Sequence, residues 1–411
     1  MADDPGPDTA FQPADIIVAL EHADTVAGRL HHLGVPMEER QDDADLGLAR
    51  LPLPADAVGR AATAVVEAGH AEEEAAKRTF GADLDRLLWG LRQLFAAEYA
   101  GWTPTLGKNR LVGNVVGGGR ISHGGGNDPR PAEAPAEARF SQDRLGPAPR
   151  IGVLDTGVDP QVALAGGWVG GARDVLPVRS RHAAVAGHGT FVTGLVRHAA
   201  PGCLVHVRQV LSDETGDADA WTVAQQIVAL GRTGLDVLNL SIVCFTDDGR
   251  PPLVLATAVD RLDPDVVVVA AAGNHGAVGE VGSRIRRAPA WPAALDDVVA
   301  VGAADDTGVA APITPTRAPW IDVLAPGMDV RSTYLTGRVQ LDLSGAPATE
   351  RTFDGYARWN GSSFAAALVG GAIAARTVPG RVPARQAWQQ LRHTAVASED
   401  GGPPFLDLAG P

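Results

Sequence analysis

The nine residues IGVLDTGVD, Ile151 to Asp159, read as a short buried strand that delivers an aspartate, Asp155, at its carboxyl end. From Arg150 onward, further short Val/Ile/Leu runs alternate with helical stretches. That is the pattern of a parallel sheet covered by helices on both faces. Open sheets of this kind place their sites beyond the carboxyl ends of the strands. Asp155 is therefore a candidate site residue, although taken alone a strand-ending Asp makes an ordinary turn.

Upstream, residues 14 to 54 read as strand, helix, strand, strand: DIIVALE is a short apolar run, ADTVAGRLHHLG has helical spacing, and LGLARLPLP alternates with period two. The Ala/Glu/Leu-rich text from Ala55 to about Tyr99 predicts two helices broken near Gly81. From Trp102 to Ala148 the composition changes, with GGG at Gly117 to Gly119 and again at Gly124 to Gly126, then PRPAEAPAEA. Such text reads as a linker or partly ordered tether. The expected organisation is a small α+β domain over residues 1–101, a Gly/Pro-rich linker over 102–148, and an α/β domain over 149–411.

The whole chain of 411 residues is 45% hydrophobic and 20% charged, a globular composition. Its net charge of −14 opposes nucleic-acid binding, which rests on Lys and Arg against phosphate. The charge is uneven: the first hundred residues carry 19 acidic against 8 basic side chains, so an acidic lobe precedes a near-neutral body. The first twenty residues have acids where a secretory signal carries bases, and no apolar run approaches the length of a bilayer span. A reduced, cytoplasmic setting with no membrane contact is the expectation. Cys203 opens one strand and Cys244 lies beyond the far end of another, too far apart to bond if the two run parallel.

Two more segments carry chemistry. GHGTFVTGLV, Gly187 to Val196, sets His188 between two glycines at the start of an apolar helix, where an imidazole can act as a general base. WNGSSFAAALVGG, Trp359 to Gly371, opens a helix of small residues with Ser362 and Ser363, so that a hydroxyl projects where the helix dipole favours negative charge. A packed histidine or an N-cap serine would be unremarkable alone. With Asp155, the three segments point together to nucleophilic catalysis.

On these motifs, the region from about residue 149 to 411 resembles the subtilisin-like serine proteases, the subtilases. DTG at Asp155, GHGT at Gly187 and GSS at Gly361 match, in the order Asp, His, Ser of that family. DVLNLSI (Asp236 to Ile242), AAAGN (Ala270 to Asn274), WPAALDDVVAVGAAD (Trp291 to Asp305) and DVLAPG (Asp322 to Gly327) support them. The resemblance implies a subtilisin-like parallel sheet and an endopeptidase that acts on peptides or proteins without a cofactor. It implies Ser363 as nucleophile, His188 as general base and acid, Asp155 as the group that orients the imidazole, and Asn274 as an oxyanion donor. It also places Ser241, Ile242 and Val243 on one wall of the primary specificity pocket, and Ala272 and Gly273 on the other. Extended substrate would add as a strand beside these edges.

Departures from the family bear on substrate preference. Ala367 stands where a proline usually follows the nucleophile, Phe364 where Met is frequent, and Val243-Cys244-Phe245 where glycines are common. The short turn Ala200-Pro201-Gly202 leaves no room for the calcium-binding loop that many relatives insert there. SDETGDAD, Ser212 to Asp219, lacks regular ligand spacing and reads as a solvated loop. His31 and His32 lack zinc-ligand spacing, and GNVVGGGR lacks the Lys-Ser/Thr of a phosphate loop. The stretch from Leu335 to Tyr356 is expected to form a hairpin flanking the nucleophile.

The N-terminal lobe has two readings that the sequence leaves open, a propeptide or an adaptor for a substrate or partner protein. Two other functions compete for the body. A catalytically idle subtilase scaffold that binds protein is disfavoured by the complete set Asp155, His188, Ser363 and Asn274. A sedolisin-like acid peptidase is disfavoured because it would carry Glu where His188 stands.

Overall fold

A computed structural model describes residues 11–69, 82–115, 127–134, 147–160, 164, 166–246, 248–278, 284–342, 347–398 and 401–408. The lobe opens with β1 (Phe11–Ala19), α1 (Ala23–His32), β2 (Gln41–Asp43) and β3 (Leu48–Pro52), the predicted order. Among the described residues two helices follow, α2 (Val58–Ala68) and α3 (Asp83–Glu98); the expected break at Gly81 lies outside the described residues. Along α3, Leu84, Leu87, Leu88, Leu91, Leu94 and Phe95 recur at three and four residues and are all buried, which fixes its inner face.

The stretch expected as a linker instead continues the lobe. Leu106–Asn114 forms a nine-residue strand, β4, antiparallel to β1, with Ile17 opposite Gly107 and Val18 opposite Leu106. Much of the remainder of 102–148, including both glycine triplets, lies outside the described residues. The lobe sheet is buried on both faces, and strand alternation decides which residue goes where. Ile16 and Val18 pack with Val65, Leu87 and Phe95 of the lobe. Ile17 and Leu48 face the other way, into a cluster with Trp221, Ile227 and Leu255.

A two-residue strand, β5 (Arg130–Pro131), precedes the body. There β6 (Arg150–Asp155), β7 (Trp168–Val169) and β8 (His182–Ala183) lead to α4 (His188–Ala199), β9 (Leu204–Gln209), β10 (Asp217–Asp219) and α5 (Ala220–Gly231). Next come β11 (Val237–Leu240), β12 (Ile242–Val243), α6 (Leu253–Asp260), β13 (Val267–Ala271), β14 (Val298–Ala304) and β15 (Val323–Pro326). Strands β16 (Val330–Leu341) and β17 (Thr349–Trp359) pair as the expected hairpin, and α7 (Ser362–Arg376) and α8 (Ala384–Arg392) close the domain.

The central sheet has seven strands in the order β15-β14-β13-β11-β6-β9-β7. Every pair in it is parallel. The apolar runs that predicted it are buried from end to end, as strands covered by helices on both faces must be. Helix α7 passes through the core, and its first thirteen residues are all buried, so it is apolar all round rather than striped.

A second sheet joins lobe to body. Strand β4 pairs antiparallel with β10, placing Asp217 opposite Gly113 and Asp219 opposite Leu111. On its other edge β4 pairs with β12, placing Ile242 opposite Asn114 and Val243 opposite Gly113. The end of the acidic run Ser212 to Asp219 is thus strand rather than wholly solvated loop. Both cysteines are buried and neither is in a disulfide. No helix among the described residues is long and apolar enough to cross a membrane.

Candidate active site

Asp155 ends β6 and is fully buried, as is His188 at the first position of α4. His188 Nδ1 lies 2.7 Å from Asp155 Oδ1 and 2.9 Å from Oδ2. A carboxylate only accepts, so Nδ1 carries the proton in this contact, and in the neutral ring it is Nε2 that holds the lone pair. Thr156 locks this pair: its N–H donates to Asp155 Oδ1 at 2.8 Å, and its Oγ1 accepts from Gly189 N at 2.9 Å while donating to Ala186 O at 3.1 Å. The glycines beside His188 are steric necessities. A Cβ on Gly187 would lie 2.1 Å from the Tyr334 ring, and one on Gly189 would lie 2.3 Å from Thr156 O.

Ser363 is the second residue of α7, and its carbonyl accepts from Ser241 Oγ at 3.2 Å, which ties the helix start to the end of β11. Ser241 Oγ in turn accepts from Asn239 Nδ2 at 3.0 Å. His188 is flanked by Trp359, edge-on with ring centroids 5.9 Å apart, and by Phe364 at 5.7 Å. Among the described residues, His188 Nε2 and Ser363 Oγ are both buried without a hydrogen-bond partner. These are the two atoms between which a proton passes when a serine is activated, and such contacts often tighten only when substrate reacts.

Asn274 follows Gly273, whose φ of +94° turns the chain sharply just beyond β13. Its Oδ1 accepts from Ser362 N at 2.9 Å and Ser362 Oγ at 3.1 Å. The amide is thereby oriented so that Nδ2 points outward, and it donates to the carbonyl of Val115 at 2.9 Å. Val115 directly follows β4 and is fully buried. The last stretch of the lobe thus lies as an extended strand between β10 and β12, with a carbonyl held by Asn274.

Asp155 thus meets His188, His188 lies beside Phe364, Ser241 bonds to Ser363, and Asn274 bonds to the neighbouring Ser362. Two of the expected pocket residues depart from the wall assigned to them. Ile242 contributes backbone, but alternation turns its side chain into a cluster with Val112 and Cys244. Ala272 packs with Ala304, Ala318, Ile321 and Leu324, while its neighbour Ala271 shares the cluster of Val243, Phe245 and Val115. Phe245 and Val115 are not among the residues the sequence singled out for the site. No group of three His, Cys, Asp or Glu side chains suited to a metal occurs among the described residues.

The model of the subtilase family matches residues 146–407. The chain belongs to the subtilase family. This subtilase is 30% identical over 242 residues to subtilisin DY of Bacillus licheniformis, covering 55% of this chain and 75% of that protein. It is 29% identical over 250 residues to subtilisin Savinase of Lederbergia lenta, covering 58% and 80%. Among solved structures, a prenylagaramide maturation protease is similar with a TM-score of 0.48 and 22% identity, over 63% of this chain and 88% of that one. This subtilase is a subtilisin-like serine endopeptidase, a hydrolase that acts on peptides or proteins. The whole lobe, through β4, lies before the matched residues.

Proposed function

We propose that the enzyme hydrolyses peptide bonds through Ser363, His188 and Asp155, with Asn274 stabilising the oxyanion and the N-terminal lobe occupying the cleft as an intramolecular inhibitor. The observation that carries this reading is the Asn274 Nδ2 bond to the carbonyl of a strand laid across the catalytic residues. In the first step the Ser363 hydroxyl gives its proton to His188 Nε2 as Oγ bonds to the scissile carbonyl carbon. Negative charge collects on the carbonyl oxygen, where the fixed amide of Asn274 already points. His188 then protonates the leaving amine, and water, deprotonated by the same nitrogen, releases the acyl group from Ser363. Asp155 keeps its charge throughout and stabilises the imidazolium.

An inhibitory lobe is favoured over an adaptor because its strand sits where substrate would add, rather than on a remote face. The apolar surface shared by Ile17, Leu48, Trp221 and Leu255 supports a tight attachment. A fluorophosphonate probe tests the chemistry. Labelling is expected on Ser363 and is lost in Ser363→Ala, together with peptide hydrolysis by about 10⁶-fold, the scale seen on removing the nucleophile of subtilisin. Labelling that moved to Ser362, or that survived Ser363→Ala, would overturn the assignment.

A further inference from the structure

Strand geometry sorts the side chains around Val115 onto two faces. In an antiparallel pair, directly opposed residues project to the same side and successive residues alternate. Gly113 faces Val243 and Asn114 faces Ile242. Val115, two residues beyond Gly113, therefore projects on the side of Val243. The packing agrees: Val115, Val243, Phe245 and Ala271 share one buried cluster, whereas Val112, Ile242 and Cys244 share another.

The side of the strand pair on which Val115 lies thus carries the Val243 side chain where the family often has glycine. Val243 stands on the diagonal from Val115, and Gly113 opposite it offers no side chain to push it aside. Phe245 lies edge-on against His275, with ring centroids 4.8 Å apart, and His275 is the residue after Asn274. Both Val115 and Val243 are fully excluded from solvent.

We propose, on the reading of β4 as a cleft-bound strand, that Val243 makes this enzyme selective for a small β-branched apolar residue on the acyl side of the scissile bond, and that the bond after Val115 is its own first substrate. The step is ordinary hydrolysis. Ser363 Oγ bonds to the Val115 carbonyl carbon, the Val115–Val116 bond breaks, and the Val116 nitrogen leaves with a proton from His188. Solvent water then frees Val115 as a carboxylate and restores the Ser363 hydroxyl. The preferred substrates are extended peptides that place Val or Ile at the position of Val115 and an apolar residue at that of Val112. Aromatic residues at the first position would overfill the pocket.

The test is carried out in the full-length chain, reading by mass spectrometry how fast a fragment beginning at Val116 appears. Wild type and Val115→Ile are expected to cut at this bond at similar rates. Val115→Phe is expected to cut at least roughly 10-fold more slowly, the effect of overfilling a packed site. Adding Val243→Gly to Val115→Phe restores the rate, which also shows that the slow variant was folded. Cutting of Val115→Phe at the wild-type rate, or no rescue by Val243→Gly, would overturn the selectivity. Cutting at another bond would overturn the register. A wild type that labels at Ser363 with the fluorophosphonate yet is never cut would instead overturn the reading of the lobe on which the proposal rests.

Discussion

Asn274 is a donor with no freedom left. Ser362 holds its oxygen through both N–H and hydroxyl, so the amide needs no rearrangement when charge develops on a bound carbonyl. Asn274→Ala is expected to lower kcat by about 10²–10³-fold with little change in KM, since the amide contributes most once the oxyanion exists. Steady-state kinetics on a peptide checks this; a raised KM with unchanged kcat would speak against the role. These groups were legible in the sequence because each stands beside glycine or a small residue for a reason the structure supplies. Tyr334 and Thr156 leave no room for a Cβ on either side of His188. The turn at Gly273 has a positive φ that side chains rarely adopt. Val115 was not legible, because nothing in an apolar residue before a glycine run says which cleft it will enter. The Cys244 thiol, pushed up to about 12 by burial, takes no part.

The contact between the end of β6 and the start of α4 sets the Asp155–His188 distance, and it is tight. Gly189→Ala drives a methyl into Thr156 O, a backbone atom, so the strand end and helix start must move apart. A cost of about 1–3 kcal/mol in stability is expected, with a larger loss of activity than Asn274→Ala because the imidazole is displaced. Denaturant unfolding and kinetics on one sample measure both. On β9, His206 has its pKa lowered by burial first, with Arg150 and Arg208 adding to the effect. The folded protein thus binds fewer protons here than the unfolded chain. The stability gained at this position is present above the ordinary histidine value of about 6.5 and is lost as pH falls from there through the lower value of the folded protein. His206→Asn should flatten the fall of the melting temperature between about pH 7.5 and 5.5, and an unchanged slope would contradict it. Strand β4 was the element least legible in the sequence. Lys108, Asn109 and Arg110 interrupt any period-two pattern, yet each finds a partner: Lys108 pairs with Asp85 at 2.5 Å, and Arg110 reaches Phe245 O at 3.4 Å. Asn109 spans Asp15 at 3.0 Å, Asp219 at 3.3 Å and Trp221 N at 3.0 Å. Those partners lie up to 135 residues away, beyond the reach of local periodicity.

The parallel sheet of the body was readable, because a sheet covered on both faces writes itself as uninterrupted apolar runs. The lobe was readable as an α+β unit, but not its relation to the body, since that depends on the far faces of β1 and β3 finding α5 and α6. Its acidic character enters there as well: Asp43 accepts from Gln225 Nε2 at 2.8 Å, and Asp45 pairs with Arg232. The inhibitory reading requires that the lobe, the cleft and the catalytic groups belong to one reaction. The intact mass of the purified full-length chain, followed over time beside Ser363→Ala, tests this most directly. Wild type is expected to split at one bond between lobe and body while Ser363→Ala stays whole. A wild type that hydrolyses added peptides but itself stays whole, or a Ser363→Ala chain that splits just as fast, would contradict it.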